Sequence, residues 1–139
     1  MVKLSEETFN GIKLHAESGY PHEVCGVLIG KGDKISEFKE CKNLNTTRAH
    51  DRYELDPVSY KMADEWARSK GMEIMGIYHS HPDHPSRPSE TDREAAWVGW
   101  YYIILSIQSG KFDNYRTWIL DDTDSQFTEY NLLVEGNNN

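Results

Sequence analysis

Side chains that bind metals recur at a telling spacing in the stretch His79-Ser80-His81-Pro82-Asp83-His84-Pro85-Ser86-Arg87-Pro88-Ser89-Glu90-Thr91-Asp92. Side chains alternate between the two faces of a strand, so His79 and His81, placed where a strand gives out, point to one side. Two imidazoles so arranged can converge on one ion at about 2.0–2.1 Å each. Ser80 between them must face away, and Pro82 stiffens the backbone as it leaves the strand. Asp92, on the next helix, brings a carboxylate from a second element and completes a three-ligand set. Three protein ligands leave a fourth position for water, the pattern of catalytic rather than structural zinc. Such a site moves the pKa of bound water from roughly 15.7 to about 7, so hydroxide is available at neutral pH. Two histidines and a carboxylate also suit non-heme iron; hydrolysis favours zinc. A plainer reading stands beside this one: Ser89 and Asp92 form Ser-x-x-Asp, a helix capping box whose task is to satisfy free amides. His84 has no partner at a telling spacing and reads as a loop residue.

These residues need elements to hold them. Ile74 to Tyr78 reads as a short strand that feeds a polar, proline-rich loop from His79 to Pro88, and Ser89 to Val98 reads as a helix. Upstream, Ser5 followed by Glu6 and Glu7 starts a helix, Phe9, Ile12 and Ala16 mark one face of it, and Gly19 with Pro21 ends it. Val24 to Ile29 is continuously apolar, as a strand buried on both faces would be, and Gly32-Asp33 turns the chain into a second strand from Ile35 to Cys41. Asp56-Pro57 opens another helix, with Val58, Met62 and Trp66 following at spacing four and Gly71 closing it. Tyr101 to Ile107 is a second strongly apolar strand; Tyr115 to Leu120 and Gln126 to Val134 follow, separated by turn residues. Helices alternate with groups of strands, an α/β arrangement with a mixed, largely hairpin-connected sheet. One domain over residues 1–135 is expected, with 136–139 a disordered tail.

Composition narrows the function. A chain of 139 residues fits one domain with one real core. The longest apolar stretch, Trp100 to Ile107, is far too short to span a bilayer, and Met1 to His15 carries charges where a signal peptide needs an apolar run. A cytoplasmic protein without a membrane partner is expected. The net charge of -8 argues against nucleic acid, because binding the phosphate backbone needs a basic face. Cys25 and Cys41 are expected to be reduced. The apolar neighbours of Cys25 make it a buried strand residue, since a nucleophile would need a paired base.

His-Ser-His-Pro, six further residues and Ser-x-x-Asp together resemble the JAMM motif of the MPN-domain metalloproteases. The segment Pro21-His22-Glu23-Val24-Cys25-Gly26-Val27-Leu28-Ile29-Gly30 is similar to the context of that family's upstream glutamate, and no member of the set is substituted. The resemblance runs from the first helix to about Leu133. It implies a single MPN (JAMM) domain: a mixed, largely antiparallel curved β-sheet flanked by helices, with the metal site at the exit of a central strand. It implies one Zn2+ per chain on His79, His81 and Asp92. Glu23 would be the general base that takes a proton from water and delivers it to the leaving amine. Ser89 would donate to the tetrahedral oxyanion, a second task beside capping. On its own, Glu23 reads as an exposed acid at the mouth of a buried strand, and His22 as a loop histidine. Asn43-Leu44-Asn45 and Arg52 to Pro57 resemble segments of the short bacterial and archaeal members, where this region borders the groove for an extended peptide.

Enzymes of that family generally cut the amide or isopeptide bond after the C-terminal Gly-Gly of a ubiquitin-like protein. Glycine lets a backbone approach a metal closely, and an added strand could align such a tail. The short chain, with no long insertion after Asp92, is most similar to the stand-alone prokaryotic, Mec-type members, which process ubiquitin-like sulfur-carrier proteins. The expected partner is therefore a ubiquitin-like or sulfur-carrier protein ending in Gly-Gly. Deconjugation of ubiquitin-like proteins is the neighbouring alternative. A non-catalytic MPN scaffold would typically lack the metal residues, and a zinc deaminase would need His-x-Glu and Pro-Cys-x-x-Cys, a pattern in which neither cysteine sits.

Overall fold

A computed structural model describes residues 1–120 and 126–136. The elements run β1 (Val2–Ser5), α1 (Glu6–Ser18), β2 (Cys25–Lys31), β3 (Lys34–Cys41), α2 (Pro57–Ser69), β4 (Glu73–Pro82), α3 (Glu90–Ala95), β5 (Tyr101–Gln108), β6 (Lys111–Leu120), β7 (Phe127–Tyr130) and β8 (Leu132–Glu135). The strands form one mixed sheet in the order β7-β6-β5-β4-β2-β3-β1-β8. β4 runs parallel to β5, and β1 parallel to β3 and β8, while the other neighbours are antiparallel. Only Asn131 separates β7 from β8, yet they occupy opposite ends of that order. The sheet therefore curls until its edges meet, where the Met1 amino group donates to the Tyr130 hydroxyl at 2.8 Å and Val2 N to Asn131 O at 3.1 Å.

Both faces of the central strands are covered, which explains their unbroken apolar runs. On one face α1 buries Phe9, Ile12 and Ala16 against Leu28, Tyr78, Ile103 and Leu105. Ser5 caps α1, its side chain accepting from Thr8 N at 3.1 Å, with Glu6 and Glu7 in the first turn. On the other face α2, capped by Asp56, packs Ala63 and Ala67 on Cys25, Val27, Ile29 and Ile74. Gly26 lies beneath Tyr78: a Cβ there would meet the Tyr78 ring at 2.3 Å, so a larger residue would displace the ring from its place on α1. Among the described residues no helix is long and apolar enough to cross a membrane.

Several local expectations need correction. The strand predicted over Ile74 to Tyr78 continues to Pro82, because register with β5 runs on to the Pro82–Ile107 pair. His79 and His81 are thus strand residues, and the loop begins at Asp83. The helix expected over Ser89 to Val98 stops at Ala95; Ala96 is extended, and Trp97 and Val98 lie exposed. Gln126 to Val134 is two strands rather than one. Val2 and Leu4, both fully buried, belong to a strand that was not predicted, although Val-Lys-Leu-Ser alternates as a strand should. Val58 and Met62 are 64% and 66% exposed, and the inner face of α2 is instead its alanines, which bring the helix close to the sheet. The expected turn between Leu120 and Gln126 and residues 137–139 of the expected tail lie outside the described residues.

Candidate metal centre

Register brings the chemistry together. β2 and β4 are antiparallel with Cys25 opposite His79, so the entrance of β2 lies beside the exit of β4. Glu23, two residues before Cys25, and His81, two after His79, therefore belong to the same face. Ser80 points the other way, as expected: its hydroxyl accepts from Val24 N at 2.9 Å, and its own N–H donates to Val24 O at 3.1 Å. Asp92 arrives on α3, in the crossover from β4 to β5. Glu23, His79, His81 and Asp92 are all buried, at 3%, 0%, 6% and 8% exposure. Each offers a ligand atom within 4.8 Å of those of the others. The reading of Glu23 as an exposed acid is thereby excluded.

Three observations test whether this group fits a cation. Glu23 Oε1 and both ring nitrogens of His79 are buried without a hydrogen-bond partner among the described residues, a costly arrangement for polar atoms. His79 Nδ1 lies 3.3 Å from Glu23 Oε1, and His79 Nε2 lies 3.8 Å from Asp92 Oδ1. His81 Nδ1 is 2.7 Å from the Pro85 carbonyl, which can only accept, so that nitrogen carries the proton. A neutral His81 then turns the Nε2 lone pair toward Asp92 Oδ2, 3.0 Å away, and two lone pairs so close need a cation or a second proton between them. A backbone carbonyl fixing the tautomer of a ligating imidazole is a usual outer support of zinc sites. The nitrogen and oxygen donors suit zinc, and the residues fit it.

Electrostatics agree. Burial alone would lower the His79 pKa, but Asp92 and then Glu23 outweigh it and raise it. Burial likewise works against the Asp92 carboxylate, yet His79 and the Ser89 N–H hold its pKa well below the usual carboxylate range.

Ser89 and Asp92 also form the capping box, with Asp92 N donating to Ser89 Oγ at 3.0 Å and Ser89 N to Asp92 Oδ2 at 2.9 Å. The plain and the chemical readings are compatible: Asp92 Oδ2 accepts from the Ser89 amide and also faces His81 Nε2, while Oδ1 turns toward His79 Nε2. The Ser89 hydroxyl accepts from Asp92 N but donates to nothing among the described residues, so its proton remains available. Ser89 lines a cavity of about 360 Å³ together with Glu23, His81 and Thr91. The proline-rich loop that forms one wall is firmly tied. Ser106 Oγ and Trp118 Nε1 donate to the carbonyls of His84 and Ser86 at 2.5 and 3.1 Å, and Ser86 Oγ donates to Asn114 Oδ1 at 2.5 Å.

Two supporting residues went unassigned in the sequence. Tyr53 stacks on His79, ring centroids 4.5 Å apart and planes 29° from parallel. Asn43 uses its whole amide: Nδ2 donates to Glu23 O at 3.0 Å and Arg52 O at 3.2 Å, while Oδ1 accepts from Asn45 N and Glu54 N, both at 2.9 Å. It thereby ties the backbone of Glu23 to both neighbours of Tyr53. Nothing in local sequence marks an asparagine as such a hub. Cys25 and Cys41 are free, buried and paired across β2 and β3, in keeping with strand rather than nucleophilic roles.

The sequence signature of a family described as prokaryotic homologues of the JAB domain matches residues 5–121. The chain belongs to this family. It is a JAMM-type hydrolase of the prokaryotic JAB group. It is 35% identical over 141 residues to a desampylase of Haloferax volcanii, covering 96% of each chain. It is 25% identical to a CysO-cysteine peptidase of Mycobacterium bovis, covering 88% of this chain and 84% of that one. A JAB1/MPN domain protein of Archaeoglobus fulgidus shares the fold, with a TM-score of 0.64 at 22% identity and 96% coverage of both chains.

Proposed function

We propose that this JAB-family chain is a zinc peptidase that hydrolyses the amide bond following the C-terminal Gly-Gly of a ubiquitin-like, sulfur-carrier protein in the cytoplasm. One observation carries the reading: buried, unpartnered ligand atoms of Glu23 and His79 lie beside His81 and Asp92, in a chain similar to a desampylase and to a CysO-cysteine peptidase. His79, His81 and Asp92 hold one zinc ion. When bound, zinc supplies Lewis acidity and brings the pKa of a coordinated water to about 7.

The remaining chemistry belongs to the chain. Glu23 takes the proton of the attacking water and later passes it to the leaving amine. The undonated Ser89 hydroxyl, on the cavity wall, hydrogen-bonds the oxyanion as charge develops on the former carbonyl oxygen. His81 is kept in one tautomer by Pro85, and His79 is held in plane by Tyr53. The amide C–N bond breaks, the water oxygen stays on the acyl carbon, and the amine leaves with the proton.

Incubating the zinc-loaded protein with sulfur carriers extended beyond Gly-Gly, and weighing the products by mass spectrometry, tests the reading. Trimming to a Gly-Gly end is expected, and no trimming of any carrier would overturn the substrate assignment. The similarity to a desampylase favours a second reading, isopeptide removal of ubiquitin-like proteins from conjugates. Release of carrier from a lysine conjugate, without trimming of linear extensions, would favour it.

A further inference from the structure

The protein carries a net charge of -8, yet three arginines, Arg48, Arg52 and Arg87, line the cavity that holds Glu23 and Ser89. One of them is spoken for, since the Arg48 guanidinium grips Asp51 through two nitrogens. Arg52, half-buried, and Arg87, exposed, have neither a hydrogen bond nor an ion pair on their side chains among the described residues. Both are carried on fixed backbone. Arg52 N donates to Arg48 O at 2.8 Å, and Arg52 O accepts from Asn43. Arg87 follows Ser86, which is bonded through side chain and carbonyl to β6. The two loops that border the site thus each present one guanidinium free of hydrogen bonds to the same small space; Asp51 on its wall is gripped by Arg48 and attracts Arg52 only through space. Guanidinium is built to bind carboxylate, and a cavity of about 360 Å³ suits a short segment rather than a protein face.

We infer that Arg52 and Arg87 bind the free α-carboxylate of a single amino acid that leaves when the amide bond is cut. This rests on the peptidase reading above and narrows its substrate. A terminal amino acid carries a carboxylate on the same carbon as the cleaved nitrogen, so it falls within the cavity that holds the base. A lysine side chain in an isopeptide bond carries none there. Arg52 and Arg87 therefore act as specificity determinants that favour trimming over deconjugation, and the released product is a free amino acid.

The test uses one sulfur carrier extended beyond Gly-Gly by one residue, prepared with a terminal acid or a terminal amide. A third substrate has a free terminal acid and the acidic side chains near its tail changed to amides. The parent protein is expected to cut the acid about tenfold to a hundredfold better than the amide in kcat/KM, the loss typical of one or two charge-assisted hydrogen bonds. In Arg52→Gln/Arg87→Gln that ratio collapses toward one, and Arg52→Lys/Arg87→Lys restores part of it. Equal cutting of acid and amide by the parent overturns this inference while leaving the peptidase reading intact; that comparison needs no variant to fold. Sensitivity to the tail side chains but not to the terminal amide also overturns it, moving the carboxylate to the carrier. Failure to cut any of the three, with every carrier tried, overturns the sulfur-carrier assignment and this inference with it.

Discussion

Replacing Asn43 by alanine removes a side chain that makes four hydrogen bonds and leaves two carbonyls and two amides to find other partners. At a net contribution of about 0.5–1.5 kcal/mol each, the four would sum to roughly 2–6 kcal/mol. Asn43 is half-buried, so water recovers part of that, and a loss of about 2–3 kcal/mol is expected. With a urea slope of about 1–3 kcal/mol per molar, the unfolding midpoint falls by about 1 M or more. Activity falls further than stability explains, because Asn43 ties the backbone of Glu23 to the neighbours of Tyr53. Misplacing the base by an ångström costs up to about a hundredfold in rate. Asn43→Asp separates the two contributions: it keeps both accepted bonds but sets carboxylate oxygen against the carbonyls of Glu23 and Arg52. It should therefore lose activity about as severely as the alanine variant. Urea unfolding and kcat/KM on one trimmed substrate measure both effects. Unfolding of Asn43→Ala within about 0.2 M of the parent, roughly 0.5 kcal/mol or less, together with cutting at the parental rate, would refute both roles of Asn43.

Other outcomes follow from the same geometry. Burial, reinforced by Asp56, pushes the Cys41 thiol up to about 11, and burial with Cys41 and Glu23 pushes Cys25 higher still. At pH 8 only about one part in a thousand of Cys41 is thiolate, so folded protein should resist iodoacetamide, and alkylation should appear only in denaturant; rapid labelling of the native form would contradict the burial. Asp92→Asn keeps an oxygen for the Ser89 amide, whereas Asp92→Ala also loses that half of the capping box and keeps only the backbone bond from residue 92 to Ser89 Oγ. Both should lose zinc, but the alanine variant should be less stable by about 1 kcal/mol in metal-free unfolding, the net contribution of one hydrogen bond; equal stability would mean that the bond to the Ser89 amide contributes nothing. Tyr53→Ala should weaken zinc binding about 10-fold to 100-fold, as loss of an outer support does, while Tyr53→Phe, which keeps the ring, should not. Equal zinc affinity in all three proteins would exclude a positioning role for the stack.

Where neighbouring residues specify one another, the sequence could be read. The alternation that puts His79 and His81 on one side and Ser80 on the other is a property of any strand, and the capping box is written in Ser89 and Asp92. The unbroken run from Val24 to Ile29 announced a strand covered on both faces. What stayed hidden depends on pairing between distant segments. Glu23 meets His79 only because Cys25 stands opposite it in the β2–β4 register. β4 reaches Pro82 only because β5 lies alongside. Nothing local shows that Asn131 is the point where the chain crosses from one sheet edge to the other, or that α2 turns alanines inward while Val58 and Met62 face out. The roles of Asn43, Tyr53 and the Pro85 carbonyl are likewise tertiary, each fixed by a contact with a residue far away or across a turn.

In the proposed reaction Glu23 moves the proton for a zinc site it does not itself build. Zinc content by elemental mass spectrometry, measured on Glu23→Gln beside its cleavage of an extended sulfur carrier, tests this most directly. One zinc per chain is expected in both the variant and the parent, with the variant's trimming rate reduced at least about 100-fold, as for loss of a general base. Parental trimming by zinc-loaded Glu23→Gln would contradict the account.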